Sequence, residues 1–193
     1  MPLEPAVDFP LAALQVGNKV GEKITMHQSK HRLQALAIVR AAAAYPARMH
    51  ATLGHIENWV FDLDNTLYPA STNLFAHIDA RMGEYIRDLL GCGLDEARHI
   101  QKDYFFRHGT TLSGLMASHG TDPHHFLDYV HDIDMTALEH DAELVAAIGR
   151  LPGRKLVFTN GDTPYAMRVL ERLGLHESFE GVHDIHATGY RPK

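Results

Sequence analysis

The sequence has one cysteine, one tryptophan and no long apolar run, and these shortages exclude several classes of protein. Cys92 alone forms no internal disulfide bond, which favours a reducing compartment and predicts a cytoplasmic protein. It lies in a Gly-Cys-Gly turn without an obvious partner, so it is a poor candidate nucleophile. No segment approaches the roughly 20 apolar residues that a membrane helix needs. The net charge of −6 argues against a nucleic-acid surface, so we expect neither nucleic acid nor membrane as a partner.

Histidine is plentiful, with 15 residues, but the histidines are scattered along the chain. His124, His125 and His131 fall on one predicted amphipathic helix, without the cysteine or carboxylate set of a zinc site. A solvated helix face is the interpretation that this pattern favours.

The segment from Trp59 to Pro69 carries the strongest functional signal, an apolar run followed by Asp62, Asp64 and Thr66. Side chains two residues apart in a strand point the same way, so both carboxylates are expected to emerge together where the strand ends. That end of a parallel strand is where open α/β sheets place their ligands. Two close carboxylates repel each other unless a cation or a proton lies between them. The pattern predicts a divalent metal, a shared proton or both; for a bare Asp-x-Asp the alternative is a capped polar turn.

Two later segments also end in residues suited to an anion. Residues 155–158 form an apolar run that leads into the turn at residues 159–161 and then into a predicted helix. A glycine-containing turn that opens a helix presents unpaired N–H groups, which bind anions such as phosphate. An ordinary capped strand–turn–helix is the alternative for this segment taken alone. A third strand-like run, over residues 182–186, leads to Lys193.

Together these three segments resemble motifs I, II and III of the haloacid dehalogenase superfamily of phosphohydrolases. The resemblance implies that Asp62 is the nucleophile, that Asp64 is the general acid/base and that Lys193 neutralises the charge around them. It also implies an Mg²⁺ cofactor on the Asp62 carboxylate and the Asp64 backbone carbonyl. A carboxylate at position 64 favours phosphate-ester cleavage over carbon–halogen cleavage. The phosphate-binding residues that the resemblance implies are Thr66, Thr159, Asn160 and Gly161.

The long interval between the first two strand-like runs exceeds what one crossover helix requires. Helical periodicity and stop signals predict helices over residues 73–90, 95–108, 112–118, from Asp122-Pro123 onward, and 139–151. The resemblance makes residues 71–137 an inserted α-helical C1-type cap, which would close over the site and select the leaving group. The expected fold is α/β: a three-layer α/β/α Rossmann-like core from residues 58–70 and 138–193, with this cap.

Within the predicted cap, residues 104–115 and 128–134 resemble the pyrimidine 5′-nucleotidase group of the superfamily. That resemblance implies a small-molecule phosphate ester as substrate, a pyrimidine nucleoside 5′-monophosphate. Arg107, Thr110 and Thr111 are candidate substrate-binding residues because they lie at a predicted helix end and turn. The alternative is an arginine near a helix dipole followed by a glycine stop. Phosphoryl transfer to another acceptor, as in phosphomutases, stays open.

The family pattern continues past Lys193 with a further strand and an acidic motif IV, so we expect a core that is incomplete at its C-terminus. Mg²⁺ would then have fewer protein ligands, and the first strand would have an unpaired apolar edge. A catalytically impaired remnant that binds phosphate or nucleotide, or serves as an interaction module, is the alternative function, and a homodimer could pair the open edges. Apart from a candidate helix from Gln28 to Ala44, residues 1–57 lack sustained periodicity and are expected to be a disordered extension, with a targeting peptide as the rival interpretation.

Overall fold

Three parallel strands form the single sheet of residues 55–193, the part of the chain that the computed structural model describes. Strand β1 spans Asn58–Phe61, β2 spans Arg154–Phe158 and β3 spans Gly181–His183, in the spatial order β1-β2-β3. Parallel pairing places the carboxyl ends of all three strands at the same edge of the sheet. The loops that follow the strands, which carry the predicted site residues, therefore meet there.

Strand β1 lies at the edge of this sheet within the described residues. The register pairs Val60 of β1 with Leu156 of β2, and Leu156 with Gly181 of β3. The apolar run predicts a buried first strand, whereas Val60 is 52% exposed, in agreement with the expected unpaired apolar edge of this strand. An edge strand is covered only where another element packs on it, and no described element covers this side of Val60.

Six α-helices accompany the sheet in residues 55–193. They are α1 (Leu74–Leu90), α2 (Leu94–His108), α3 (Thr111–His119), α4 (Pro123–His131), α5 (Ala142–Gly149) and α6 (Thr163–Leu173), and a short 3₁₀ turn covers Ala70–Thr72. The first four helices lie between β1 and β2 in the chain, and residues 74–131 are called the helical insertion below. The order of strands and helices confirms the predicted α/β class.

The helix ends follow the capping signals of the sequence. The side chains of Thr110, Asp122, Asp141 and Asp162 accept hydrogen bonds from N–H groups in the first turns of α3, α4, α5 and α6. Helices α1, α2, α3 and α6 end at glycines with positive φ, a conformation that other residues adopt at a cost. The predicted helix over residues 139–151 is shorter in the structure, because Asp141 caps it.

One continuous buried cluster joins the helical insertion to the sheet and to α6. Leu115 and Val130 contribute to it from the insertion, Val157 from β2 and Leu170 from α6, each almost fully buried. Burial of this kind is the main stabilising term in folding, and here it fixes the insertion over the carboxyl edge of the sheet.

Two predictions concern the N-terminal extension and membrane-spanning helices. Most of the predicted extension, residues 1–54, lies outside the described residues, as does a predicted helix from Gln28 to Ala44. Residues 55–57 are described, and the Glu57 carbonyl accepts a hydrogen bond from Arg154 N at 2.8 Å. No helix in the described part of the chain combines the length and the apolar character that a bilayer crossing requires.

Candidate active site

A cavity of about 400 Å³ lies between the carboxyl edge of the sheet and the helical insertion. This volume is within the range of small-molecule sites. The predicted site residues that line it are Asp62, Asp64, Thr110, Thr111, Asn160, Gly161 and Lys193. The structure therefore brings most of the predicted residues together, although Thr66, Arg107 and Thr159 do not line the cavity.

Asp62, directly after β1, is oriented by three donors. Its Oδ1 accepts a hydrogen bond from Leu63 N at 2.8 Å and forms an ion pair with Lys193 Nζ. Its Oδ2 accepts a longer bond, 3.3 Å, from the Thr66 hydroxyl. The side chain is 42% exposed, so a ligand in the cavity can reach a carboxylate whose direction is already fixed.

Lys193 is held by its backbone as well as by its ammonium group. Lys193 N donates to Asn160 Oδ1 at 3.0 Å, and Nζ also lies 3.4 Å from the Phe158 carbonyl. These contacts join the segment after β3 to the turn after β2. The predicted lysine therefore lies beside the predicted nucleophile, although 131 positions separate the two in the chain.

The helical insertion contacts the segment that carries Lys193. The Ser113 hydroxyl donates to the Tyr190 carbonyl at 2.9 Å. Gly109 has a φ of +82°, and a Cβ on it would lie only 2.5 Å from the Pro192 ring. A glycine is therefore required there both by the backbone conformation and by the close approach of Pro192.

Asp64 is held by two buried tyrosines that the sequence does not single out. The hydroxyls of Tyr68 and Tyr165 each donate to Asp64 Oδ1 at 2.7 Å. Burial, reinforced by the Asp64 charge, raises the pKa of both phenols far above the usual range, so both remain donors at physiological pH. Asp64 Oδ2 accepts no hydrogen bond within residues 55–193. Tyr68 belongs to the first motif, but no sequence signal links Tyr165 to it.

The two carboxylates of the first motif therefore do not share a proton or partner. Asp62 is paired with Lys193, whereas Asp64 is bound by phenol hydroxyls. The sequence predicts a cation or a shared proton between the two carboxylates. In the structure each carboxylate has its own hydrogen-bond or ion-pair partners instead.

The turn after β2 has the form of an anion site. Thr159 Oγ1 accepts a hydrogen bond from Gly161 N at 3.0 Å, which leaves the hydroxyl proton free to be donated. The Asn160 N–H meets no acceptor within residues 55–193. A Cβ at Gly161 would lie 2.9 Å from the Tyr165 ring, so the turn approaches α6 closely. An uncommitted N–H group and a hydroxyl at the start of a helix suit a phosphate group.

Asp184, directly after β3, binds Thr163 at the start of α6, next to this turn. The sequence does not single it out. Its carboxylate accepts four hydrogen bonds, from Thr163 N, Thr163 Oγ1, His186 N and Ala187 N, at 2.6 to 3.1 Å. Burial opposes its ionisation, but these donors outweigh burial and lower the pKa of Asp184. The β3 strand ends at His183 rather than at residue 186, because Asp184 turns to cap the start of α6.

His131 contradicts the interpretation of a solvated helix face. It is only 5% exposed, its ring stacks on Tyr165 at 4.2 Å, and Nδ1 lies 3.0 Å from Asp162 Oδ1. The atoms are within ion-pair range, but the ring N–H does not point at the oxygen. Burial opposes ionisation of Asp162, yet its close contact with His131 and the hydrogen bond from Tyr165 N leave its pKa below the usual value. The contact ties the end of α4 to the start of α6.

The other predicted residues of the insertion have structural partners. The Thr110 hydroxyl caps α3 by accepting from Ser113 N, and the buried Thr111 hydroxyl donates to the Gln101 carbonyl at 3.3 Å. Arg107 is 71% exposed and pairs with Asp103 at 2.8 Å on the outer face of α2. Thr110 and Thr111 keep a place in the cavity wall, whereas the guanidinium of Arg107 lies outside it.

The donor set around Asp62 fits Mg²⁺ with few protein ligands. Within residues 55–193 no group of three or more His, Cys, Asp or Glu side chains is arranged to hold a metal. The Asp62 carboxylate and the Asp64 backbone carbonyl, which accepts no hydrogen bond from these residues, are the hard oxygen donors beside the cavity. Mg²⁺ commonly binds one or two carboxylates and completes its octahedron with waters and substrate phosphate.

Comparison with known proteins finds distant relatives of this chain. No protein-family model matches the sequence. The chain is 28% identical over 134 residues to "Phosphate metabolism protein 8" of Saccharomyces cerevisiae. The match covers 63% of this chain, which spans 41% of the length of that relative.

Proposed function

We propose that this chain is a Mg²⁺-dependent phosphomonoester hydrolase of the haloacid dehalogenase type, with Asp62 as the nucleophile. The observation that carries the proposal is the fixed Asp62 carboxylate, paired with Lys193. Both lie at the floor of the cavity, the part formed by the loops after the three strands. The relative's name refers to phosphate metabolism, which supports a phosphate-related role. The order β1-β2-β3 with flanking helices supports the Rossmann-like core, and the helical insertion supports the predicted cap.

The reaction proceeds in two steps. Asp62 attacks phosphorus to form an aspartyl-phosphate, and the bond from phosphorus to the leaving oxygen breaks as that oxygen takes a proton from Asp64. Water then attacks the phosphorus and passes a proton to Asp64, which releases inorganic phosphate and restores the Asp62 carboxylate.

Two groups in the floor stabilise the charge of the phosphoryl group. They are the Lys193 ammonium and the Asn160 N–H. The Asp62 carboxylate and the Asp64 backbone carbonyl would hold Mg²⁺, which would supply further positive charge near the phosphate oxygens. Tyr68 and Tyr165 hold Asp64 Oδ1, which leaves Oδ2 for the proton exchanges.

The substrate that we propose is a pyrimidine nucleoside 5′-monophosphate. The cavity volume of about 400 Å³ suits a leaving group of nucleoside size. The apolar side chains of the insertion provide the surface against which a base would pack.

Phosphate or nucleotide binding without turnover is the second candidate function. It is favoured by the small number of carboxylates around Asp62 and by the exposed Val60 on an edge strand. Weak metal binding would lower the rate without preventing binding at the turn after β2.

The test is phosphate release by the purified chain from UMP and p-nitrophenyl phosphate, with Mg²⁺ and with EDTA. We expect release only with Mg²⁺ and its loss in Asp62→Asn. Asp95→Asn is the matched control, because Asp95 is 95% exposed at the start of α2. Release that survives Asp62→Asn would refute the nucleophile, and UMP binding without release would favour the second candidate.

A further inference from the structure

The helical insertion covers the cavity with a mostly apolar surface that contains one polar group of residues. Ile78 and Met82 contribute apolar surface from α1. Asp79 on α1, with Gln101 and Lys102 on α2, forms a polar patch in that surface. An apolar pocket with a few convergent polar groups is typical of a site that recognises one class of small molecule.

Each of these two helices presents one aromatic ring and one charge to the cavity. Phe75 and Asp79 are four residues apart on α1, and Lys102 and Phe105 are three residues apart on α2, so each pair lies on one helix face. The rings of Phe75 and Phe105 are 41% and 50% exposed. A planar ligand between the two helices would cover these rings and reach the charged pair with its edge.

The charged pair offers one acceptor and several donors to such a ligand. Asp79 Oδ1 accepts from Gln101 Nε2 at 2.8 Å and from Lys102 Nζ at 3.2 Å. Asp79 Oδ2 accepts no hydrogen bond within residues 55–193, and the Lys102 ammonium keeps two further protons. An acceptor and a donor lie side by side at the cavity.

Gln101 positions this pair at some cost to the fold. Its side chain is 2% exposed, and its Oε1 is buried without a hydrogen-bond partner in the described residues. An unsatisfied buried amide oxygen destabilises the folded state, and an apolar residue would avoid the cost. A surface ion pair contributes little by itself and needs no such support. The arrangement therefore indicates that the direction of the Asp79 carboxylate matters for binding.

We propose that Asp79 and Lys102 recognise the edge of a planar nitrogen heterocycle that presents an N–H donor beside a carbonyl acceptor, as uracil does. Asp79 Oδ2 accepts the N–H, Lys102 donates to the carbonyl, and Phe75 and Phe105 pack on the ring. The inference rests on the proposed function, because the phosphate end of the same ligand occupies the floor at Asp62.

The test is calorimetric titration of the full chain with UMP, N3-methyl-UMP and ribose 5-phosphate, all in EDTA so that hydrolysis is suppressed. N3-methylation removes the donor, and ribose 5-phosphate removes the base while keeping the phosphate. We expect UMP to bind about 10- to 100-fold more tightly than either, the range for a hydrogen bond to a charged group. In Asp79→Asn and in Lys102→Met the preference for UMP should fall towards unity.

Asp88→Asn and Arg98→Met are the matched controls, because both residues lie on α1 and α2 but outside the cavity lining. They should keep the wild-type preference. Equal wild-type affinities for the three ligands would overturn the inference and leave the phosphate site standing. Absence of binding by all three, both in EDTA and in the Asp62→Asn variant with Mg²⁺, would overturn the proposed function together with the inference.

Discussion

The floor and the roof of the cavity are built in different ways. In the floor, formed by the loops after the three strands, the carboxylates of Asp62, Asp64 and Asp184 are each held by two or more donors. In the roof, formed by the helical insertion, Asp79 and Lys102 lie among apolar lining residues, and the Lys102 side chain is 61% exposed. Under the proposed function, the floor holds the reacting groups, whereas the roof contacts the leaving group.

Two contacts join these regions. Gly109 and Ser113 of the insertion pack on the segment that ends in Lys193. His131 at the end of α4 lies against Asp162 and Tyr165 at the start of α6. Because Tyr165 also binds Asp64, the second contact connects the position of the insertion to the proposed acid/base.

The largest effect is expected in the floor, from Lys193→Met. Removal of the ammonium beside Asp62 leaves the phosphoryl charge without its nearest cation, and kcat should fall about 10²- to 10³-fold. Lys155→Met is the control, since Lys155 Nζ lies outside the cavity lining and, within residues 55–193, donates a hydrogen bond only to the Gly153 carbonyl. Steady-state phosphate release measures both variants, and similar losses in the two would count against a specific role for Lys193.

A smaller effect is expected from Tyr165→Phe, which removes one of the two phenol donors on Asp64. We predict a fall of about tenfold in kcat, within the range for a partly impaired general acid/base, with a shift in the pH profile. Tyr68→Phe should behave similarly, and the double variant should lose more than either. Unchanged pH profiles in all three would show that the tyrosines only pack.

The contact between roof and floor can be broken at Gly109. Gly109→Ala should strain a residue at φ +82° and displace Pro192, so that Lys193 moves and kcat falls several-fold. Gly120→Ala is the matched control, because Gly120 also ends a helix with φ +62°, but a Cβ on it would meet no heavy atom of another described residue within 4 Å. Thermal melting should show a similar loss of about 1 kcal/mol from backbone strain in each variant. Equal kcat values in the two variants would contradict a role for Gly109 in placing Lys193.

The smallest effect concerns stability and the contact of His131 with Asp162. The folded pKa of Asp162 is lowered, so its contribution is present above the unfolded value of about 3.9 and is lost as the pH falls through the lower folded value. Asp162→Asn should cost about 1–3 kcal/mol at pH 7, and the difference from wild type should shrink below about pH 4. Denaturant melts at pH 7 and pH 3.5 measure this. A constant difference would mean that the charge of Asp162 is not what stabilises the contact.

The sequence predicts the floor better than the roof, for a physical reason. Asp62, Asp64 and the turn at residues 159–161 follow apolar strands, and local rules place such residues at the same sheet edge. Glycine stops and aspartate caps are also local, which is why α1 begins and ends within one residue of the prediction.

Contacts between distant elements were missed. Nothing in the order of residues indicates that Tyr165 reaches Asp64, or that His131 is buried against Tyr165. Leu89 has the spacing of an apolar helix face but is 43% exposed, whereas its neighbour Leu90 packs against the core. Such burial depends on packing angles that periodicity does not encode.

The most direct measurement of the central claim is capture of the phosphorylated enzyme. The Asp64→Asn variant lacks the base for the second step, and p-nitrophenolate leaves without a proton, so the first step should still proceed with p-nitrophenyl phosphate and Mg²⁺. After an acid quench, peptide mass spectrometry should find one phosphoryl group on Asp62. Phosphate on another residue, or turnover with no phosphorylated Asp62, would contradict the account.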